Sequence, residues 1–458
     1  TVAFDCETTG LQPKFGGLRL LQLAAMDRPP VVIDCWELDD NDWIQLEEFF
    51  CMERYWLAHN AVFDLGWLQE HEIYPKGKVL CTMLASRLLT NGLPNIKHGL
   101  QHVVRRYLKY EISKEQQTSD WSQELTDEQL YYAAKDVSVL LELDGPINQM
   151  MADSQLHQAW FLECKALPAM AQLWRTGLPF NKESLLQLIE DLDIEHVEIG
   201  DKFIEDFDAA LPEEHKLHRN VLGQIKFQTK PGKKGGKPDP EVFNLNSPVQ
   251  LLKKFTALLN KQPVDNKTGK ASASKSALQE YVADHKVVAD YLRWKRVEKR
   301  RQMAETLLKT YSEDGFIRAS YMQLGADTGR MSCMSPNLQQ IPRDQRFRAC
   351  VQAPTGWQLV VADYGQMELR LAAAEAADPL MTQVFQQGKD LHTITATQIY
   401  GVKEEDVTKD QRQVSKSANF GLLYGSGANG LRNYAATMGI QMDLDEAKEV
   451  REKFHAAY

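Results

Sequence analysis

Cysteine is scarce in this chain, seven residues in 458, and no two of them form a C-x-x-C pair. An odd, scattered set (Cys6, Cys35, Cys51, Cys81, Cys164, Cys333, Cys350) argues against a disulfide framework and against a cysteine zinc site. No apolar run approaches the roughly 18–20 residues that a membrane-spanning helix needs, so no membrane partner is expected. The opening TVAFDCETTG lacks a basic segment leading into an apolar stretch, and no signal peptide is legible. With no initiator Met it reads as the trimmed start of a longer reading frame, and a cytoplasmic setting is expected. An overall basic excess is missing too: 53 Lys and Arg face 63 Asp and Glu, for a net charge of −10. That balance does not exclude a polyanionic ligand, because net charge averages over faces. Leu292–Arg301 (LRWKRVEKRR) gathers six cations around one Glu, and Lys226–Lys237 holds five Lys and no acid.

What is present is ordinary soluble-protein material, 43% apolar and 25% charged, in a chain too long for one core. Residues 1–35 alternate apolar runs with turns (TVAFD, LRLLQLAA, PPVVID) and predict three strands. Helical patterns dominate from 41 to about 144, broken by the short apolar run YWLAHN, so the first 150 residues read as an α/β unit. Helices are expected over 155–210, split at Thr176–Pro179, and again over 248–260 and 276–310. Gly, Pro and Lys crowd 211–243, predicting a flexible loop or hairpin. A strand-rich stretch is expected over 315–365 and helices from 366 to 458, with no internal repeat.

Asp5-Cys6-Glu7 ends an apolar strand, and alternation puts Asp5 and Glu7 on one face with Cα atoms about 6.5–7 Å apart. Two carboxylates aimed together repel unless cations lie between them, although a pair of exposed strand-end acids reads the same way. In AHNAVFD, Asn60 suits the N-cap of a following helix and Asp64 lies one turn inside it. Thr126 and Gln129 form a capping box that starts a helix in which Tyr132 and Asp136, four apart, share a face. Asp136 borders the apolar stripe of that helix, where a bare carboxylate is costly; alone it would more often be a surface acid. The order D-x-E, N-x-x-x-D, Y-x-x-x-D resembles the proofreading 3′–5′ exonucleases of RNase H-like fold across residues 1–150. The resemblance implies that Asp5, Glu7, Asp64 and Asp136 hold two Mg²⁺ ions about 4 Å apart, with Mn²⁺ as an alternative, and that Tyr132 orients the attacking water.

Further on, Thr408 and Gln411 form a second capping box, after which Arg412, Lys416 and Phe420 recur every four residues and share a helix face. Tyr424 extends the row past its edge. Two cations followed by two aromatics suit a ligand with a polyphosphate tail and a planar head, as they would a solvated basic turn entering a core. Leu359–Asp363 predicts an apolar strand ending in a carboxylate that opens onto a helix near Gln366, a place for a metal ligand or for a plain N-cap. The segments ADYGQMELR, RQVSKSANFGLLYG, DLHTITA, TGRMS-x-x-x-PNLQQIP and FNLNSPVQLL together resemble the family A DNA polymerases.

That resemblance implies an α/β chain with an RNase H-like exonuclease domain at 1–150. A helical thumb and connecting helices at 151–314 would follow, then a partial palm at 315–380 and incomplete fingers at 381–458 of a right-hand polymerase. It assigns the polymerase metals to Asp363 and the Tyr364 carbonyl, and the 2′-OH block to Glu368. Triphosphate binding falls to His392, Arg412 and Lys416, with Lys416 as proton donor to the leaving group. Phe420 and Tyr424 would contact sugar and nascent base pair; Arg330, Asn337 and Gln339 would contact primer and template. The thumb cations Arg293, Lys295, Arg296 and Arg300 would grip phosphates without reading sequence. The implied partners are primer–template DNA and dNTPs, and the implied setting is the nucleoid, or the host cytoplasm for a viral source.

Three departures from the family pattern follow. Gly365 stands where a small hydroxyl residue is usual. Residues 211–242 are an insertion: a solubilising loop, an extra DNA contact, or a docking site for a processivity factor. No H-D-E strand occurs up to Tyr458, and Asp445-Glu446 reads as a helix start. The resemblance implies a DNA-directed DNA polymerase with 3′–5′ proofreading, acting in replication or repair. The alternatives are a 3′–5′ exonuclease alone or a DNA-binding module. These 458 residues as they stand are expected to digest DNA 3′ ends without synthesis.

Overall fold

The computed structural model describes residues 1–229, 239, 241–265, 268–437 and 440–458. The three strands expected at the start form: β1 (Val2–Thr8), β2 (Leu18–Ala25) and β3 (Val31–Asp34). The chain continues through α1 (Asp40–Phe50), β4 (Arg54–Ala58), α2 (Val62–Glu70), β5 (Gly77–Cys81), α3 (Thr82–Leu89), α4 (Leu100–Tyr107) and the long α5 (Asp127–Asp153). YWLAHN supplies β4. The second parallel strand, β5, goes unread in the sequence because GKVLC is five residues long and runs directly into a helix. The sheet order is β3-β2-β1-β4-β5, antiparallel from β1 through β3 and parallel from β1 through β5. β1 is thus hydrogen-bonded on both sides, and its inward face is closed by Phe4, which meets Phe50 and Trp56 edge-on at 6.0 and 6.2 Å.

Helices α6 (His157–Lys165) and α7 (Leu167–Thr176) complete the first core, which runs from Ala3 to Ala171 and takes in Leu324. The expected split at Thr176–Pro179 is real. Gly177 takes φ +78°, and a short β6 (Leu178–Pro179) precedes α8 (Lys182–Ala210). Next come β7 (Phe227–Gln228) and β8 (Phe243–Asn244), which pair in parallel, then α9 (Pro248–Leu259), α10 (Lys275–Leu278) and α11 (Lys286–Lys309). Residues 230–238 and 240, the middle of the segment expected as an insertion over 211–242, lie outside the described residues. Phe203, Phe207, Phe255, Tyr291 and Trp294 interlock in an aromatic core where α8, α9 and α11 meet. Between α8 and α11, buried His196 Nε2 lies 2.9 Å from a carboxylate oxygen of buried Glu298.

After α11 the chain forms β9 (Phe316–Ile317), β10 (Ser320–Met322), β11 (Ser332–Met334) and α12 (Gln345–Ala349). β9 pairs with β6, and β10 with β11. The strand expected over Leu359–Asp363 is absent: no strand is formed there, and Val360 and Val361 are 89% and 93% exposed. An apolar, β-branched run becomes a strand only when a neighbour accepts its backbone hydrogen bonds. Among the described residues no strand pairs with this segment.

By internal contacts the chain divides into two compact units, Thr1–Gln358 and Leu359–Tyr458. The second is helical, as expected from 366 onward: α13 (Met367–Glu375), α14 (Pro379–Gln386), α15 (Leu391–Tyr400), α16 (Lys409–Leu423), α17 (Ala428–Thr437) and α18 (Leu444–Ala457). Asp445 and Glu446 lie in the first turn of α18, capped by Asp443. All seven cysteines are free thiols. No helix among the described residues is long and apolar enough to cross a membrane.

Candidate active site

Strand β1 delivers Asp5 and Glu7 to the face of the sheet on which α5 packs. Helix α5 starts at the expected capping box, in which the Thr126 and Gln129 side chains each accept from the other's backbone N–H. This sets Tyr132 and Asp136 against β1. Carboxylate oxygens of Asp5, Glu7 and Asp136 lie within 4.8 Å of one another. They line a cleft of about 730 Å³ that also takes in His59, Phe63 and Lys114.

Asp64 enters in the first turn of α2, 1% exposed, and neither of its carboxylate oxygens has a hydrogen-bond partner. It lies outside the three-carboxylate group, yet close enough to Asp5 for the two charges to repel. Asn60 does not cap α2. The cap position is Ala61, and Asn60 takes the left-handed conformation at φ +62°, which Asn tolerates better than most residues. Its carbonyl still accepts from Phe63 N–H at 2.8 Å.

Crowding of like charges in a buried place raises proton affinity. Burial, then the Asp136 charge, pushes Asp5 up to about 7. Burial, then Asp5 and Asp136, pushes Glu7 up to about 9. Burial, then Asp5, holds Asp64 well above the usual carboxylate range. Opposing this, Lys114 forms an ion pair with Asp136, and its charge lowers both Asp5 and Glu7. The Tyr132 phenol is raised by burial and by Asp136, so it stays a hydroxyl and can donate but not act as a base. His59 is pushed down to about 3 by burial and by the Lys114 charge; its ring bonds Thr82 Oγ1 at 2.8 Å and the His98 carbonyl at 2.9 Å. A neutral, doubly bonded imidazole there is a wall of the cleft.

Lys114 and Trp121 are parts of this site that sequence reasoning missed. Both sit in the aperiodic stretch SKEQQTSDW between α4 and α5, where neither helical nor strand spacing marks a residue as inward-facing. Only the folding of that loop over α5 turns Lys114 onto the carboxylates and Trp121 onto Tyr132, ring centroids 6.4 Å apart.

The residues expected to handle nucleotide and template are placed less uniformly. α16 has its capping box, Thr408 with Gln411, and carries Arg412, Lys416 and Phe420 on one face. Tyr424 closes the helix as its C-cap, 62% exposed. The Arg412 guanidinium donates to Asp390 at 2.8 and 3.2 Å, and Asp390 caps α15. His392 is buried, with Nδ1 2.8 Å from Asn419 Nδ2 and its ring 5.8 Å from Phe420, and burial lowers it to about 4. Asp363 and Tyr364 are exposed on the unpaired segment before α13, and Glu368 lies in the first turn of that helix. In the other unit, Arg330 and Gln339 are exposed and Asn337 is half-buried.

The α11 cations divide. Arg293 and Arg296 are exposed, whereas Lys295 donates to Asn246 Oδ1 at 2.7 Å and Arg300 pairs with Asp344 at 3.1 Å. Those two do structural work in this conformation, tying α11 to the start of α9 and to α12.

Residues 1–152 match the family model described as 3′-5′ exonuclease, and residues 233–458 match that of DNA polymerase family A. The chain belongs to family A of the DNA polymerases. Its relatives bear the name DNA polymerase I. That of Aquifex aeolicus is 34% identical over 98% of this chain and 73% of its own length. Those of Chloroflexus aurantiacus and Pseudomonas aeruginosa are 28% and 30% identical, over 96% and 88% of this chain. The chain spans under half the length of the latter two, 46% and 42%. Among solved structures, the POL domain of Mycobacterium smegmatis Pol1, a complex with DNA primer-template and dNTP, superimposes with a TM-score of 0.74 at 22% identity. It covers all of this chain and 72% of its own, a likeness of fold.

Proposed function

We propose that this chain is a DNA-directed DNA polymerase of the DNA polymerase I type that proofreads with a 3′–5′ exonuclease. The observation that carries the exonuclease half is the meeting of Asp5, Glu7 and Asp136 oxygens within 4.8 Å beside a buried, unpartnered Asp64. Carboxylates so arranged are a hard, all-oxygen donor set, matching Mg²⁺ or Mn²⁺ and not a thiophilic metal. Asp5, Glu7, Asp64 and Asp136 would hold two such ions, which supply charge stabilisation on the attacking and leaving oxygens of a phosphodiester. Tyr132 remains a hydroxyl, able to orient a water or a phosphate oxygen by hydrogen bonding. The cleft is wide enough for a terminal nucleotide of single-stranded DNA, and Phe63 offers it an apolar wall.

The polymerase half rests on family membership. Asp363 and the Tyr364 carbonyl would hold the metal ions of synthesis, and Glu368 would exclude a ribose 2′-OH. Arg412, Lys416 and His392 would bind the triphosphate. Arg412 would exchange its two hydrogen bonds to Asp390 for bonds to phosphate to do so. Arg293 and Arg296, the exposed ones among these α11 cations, would grip duplex phosphates, and Arg330, Asn337 and Gln339 would contact the primer and template strands. Residues 211–242 are a candidate docking segment for a processivity factor. A substrate of this kind sets the place of action at the nucleoid or, for a virus, in the host cytoplasm.

A second reading, an exonuclease without synthesis, is favoured by one observation. Among the described residues the exonuclease centre is the only group of three or more potential metal-ligating side chains. A 5′-labelled primer–template with Mg²⁺, with and without dNTPs, separates the two. Extension supports polymerisation, and shortening in both lanes supports the exonuclease alone. Shortening that persists at the wild-type rate in both Asp5→Ala and Asp136→Ala overturns the exonuclease assignment.

A further inference from the structure

Lys114 is an odd residue to find here. Its side chain is 13% exposed, and it reaches the carboxylate cluster from a loop, not from the strand or helices that carry the acids. Before Lys114 the Tyr110 hydroxyl donates to Glu142 of α5 at 2.8 Å, and beyond it the loop is held down as well. Gln129 Nε2 donates to Ser119 Oγ at 3.0 Å and to the Asp120 carbonyl at 3.3 Å, and Trp121 is buried against Tyr132. The ammonium therefore arrives with little freedom to leave. It donates to the Tyr132 hydroxyl at 2.9 Å, pairs with Asp136, and lies 5.0 Å from the centre of the Tyr132 ring.

Resting on the metal-centre reading above, we propose that Lys114 is a positioning residue that acts as the exonuclease centre's built-in cation. It holds Asp136 and Tyr132 in register and competes with the divalent ion for the Asp136 carboxylate. A fixed positive charge in direct contact with Asp136 offsets the mutual repulsion of Asp5, Glu7 and Asp136, so the ligands stay assembled without metal. The same charge repels an incoming dication and occupies an oxygen it would take, in a place where solvent screens little. Lys114 thus preorganises the site and weakens its hold on metal. Its hydrogen bond to Tyr132 is accepted by the phenolic oxygen, which leaves that hydroxyl able to donate its own hydrogen, with the Asp136 carboxylate among its acceptors.

The sign of this effect makes it testable. Damage to a metal site loosens metal binding, whereas removal of a competing cation tightens it. Mn²⁺ binding is titrated by the loss of free-ion EPR signal on the full chain, for wild type, Lys114→Met, Lys114→Gln and Lys114→Arg. Both neutral variants are expected to bind Mn²⁺ about tenfold or more tightly, and Lys114→Arg to stay near wild type. In exonuclease assays at saturating Mn²⁺, Lys114→Met is expected to lose about tenfold in kcat. Lys114→Gln, which keeps a donor for Tyr132, is expected to lose less. Circular dichroism identifies any variant that fails to fold; the other neutral variant then carries the test. Mn²⁺ affinity unchanged or weakened in a folded neutral variant overturns the proposal. Asp136→Asn is the control: if it leaves Mn²⁺ binding and exonuclease rate at wild-type values, the metal-centre reading itself has failed.

Discussion

β1 and Leu359–Asp363 look alike as sequence, each an apolar, β-prone run ending in an aspartate next to chemistry. In the structure they have nothing in common. β1 is paired along both edges, its Phe4 and Cys6 are buried, and Asp5 and Glu7 face a helix that brings a third carboxylate. Leu359–Asp363 is unpaired and exposed, and Asp363 gathers no group of ligating side chains among the described residues. The difference lies in the neighbours. A strand-end carboxylate joins a preassembled cluster of carboxylates only when the backbone beneath it is fixed and a second element closes over it.

The largest expected effect tests that contrast directly. Asp5→Ala or Asp136→Ala should slow Mg²⁺-dependent release of 3′ nucleotides from single-stranded DNA by about a thousandfold or more, because each removes a ligand from a charge-stabilising centre. Asp363→Ala should leave that rate unchanged. A comparable loss in Asp363→Ala would break the separation of the two regions.

Stability should divide the same way. Phe4→Ala, in the filled side of β1, is expected to cost about 3–5 kcal/mol, and Val361→Ala less than about 0.5 kcal/mol, by urea denaturation. Equal costs would mean that Leu359–Asp363 is packed in solution.

The raised carboxylates give a pH signature in the metal-free protein. Asp5, pushed up to about 7, and Glu7, pushed up to about 9, bind protons more tightly folded than unfolded. Between the unfolded values near 4 and these folded values the native state carries the extra protons, so stability falls as pH rises from about 4 through 9. Thermal melts in EDTA should show this decline, and Mg²⁺ should reduce it by compensating the ionised set. A metal-free protein that grows more stable toward pH 9 would contradict the crowding described here.

The smallest expected effect compares the two capping boxes. Thr126→Ala on α5 and Thr408→Ala on α16 each remove a side-chain acceptor for a backbone N–H and should each cost about 1 kcal/mol. Only the first should also disturb exonuclease rate, because α5 carries Tyr132 and Asp136. Equal effects on that rate would mean that α5 is not the more finely placed helix.

Local rules were readable from the amino acids alone. Alternation put Asp5 and Glu7 on one face, and two capping boxes marked where α5 and α16 begin. A helical spacing of four set Tyr132 beside Asp136 and Arg412 beside Lys416. Each depends on residues within a few positions of one another, so composition and order suffice. Tertiary structure decided whatever depends on a distant neighbour. It denied a ladder to Leu359–Asp363, gave Asn60 a left-handed backbone in place of a capping role, and spent Lys295 and Arg300 on intramolecular partners. It also carried Lys114, from a loop with no periodicity, into contact with Asp136, because the forces fixing that contact are burial and charge across some twenty residues of chain.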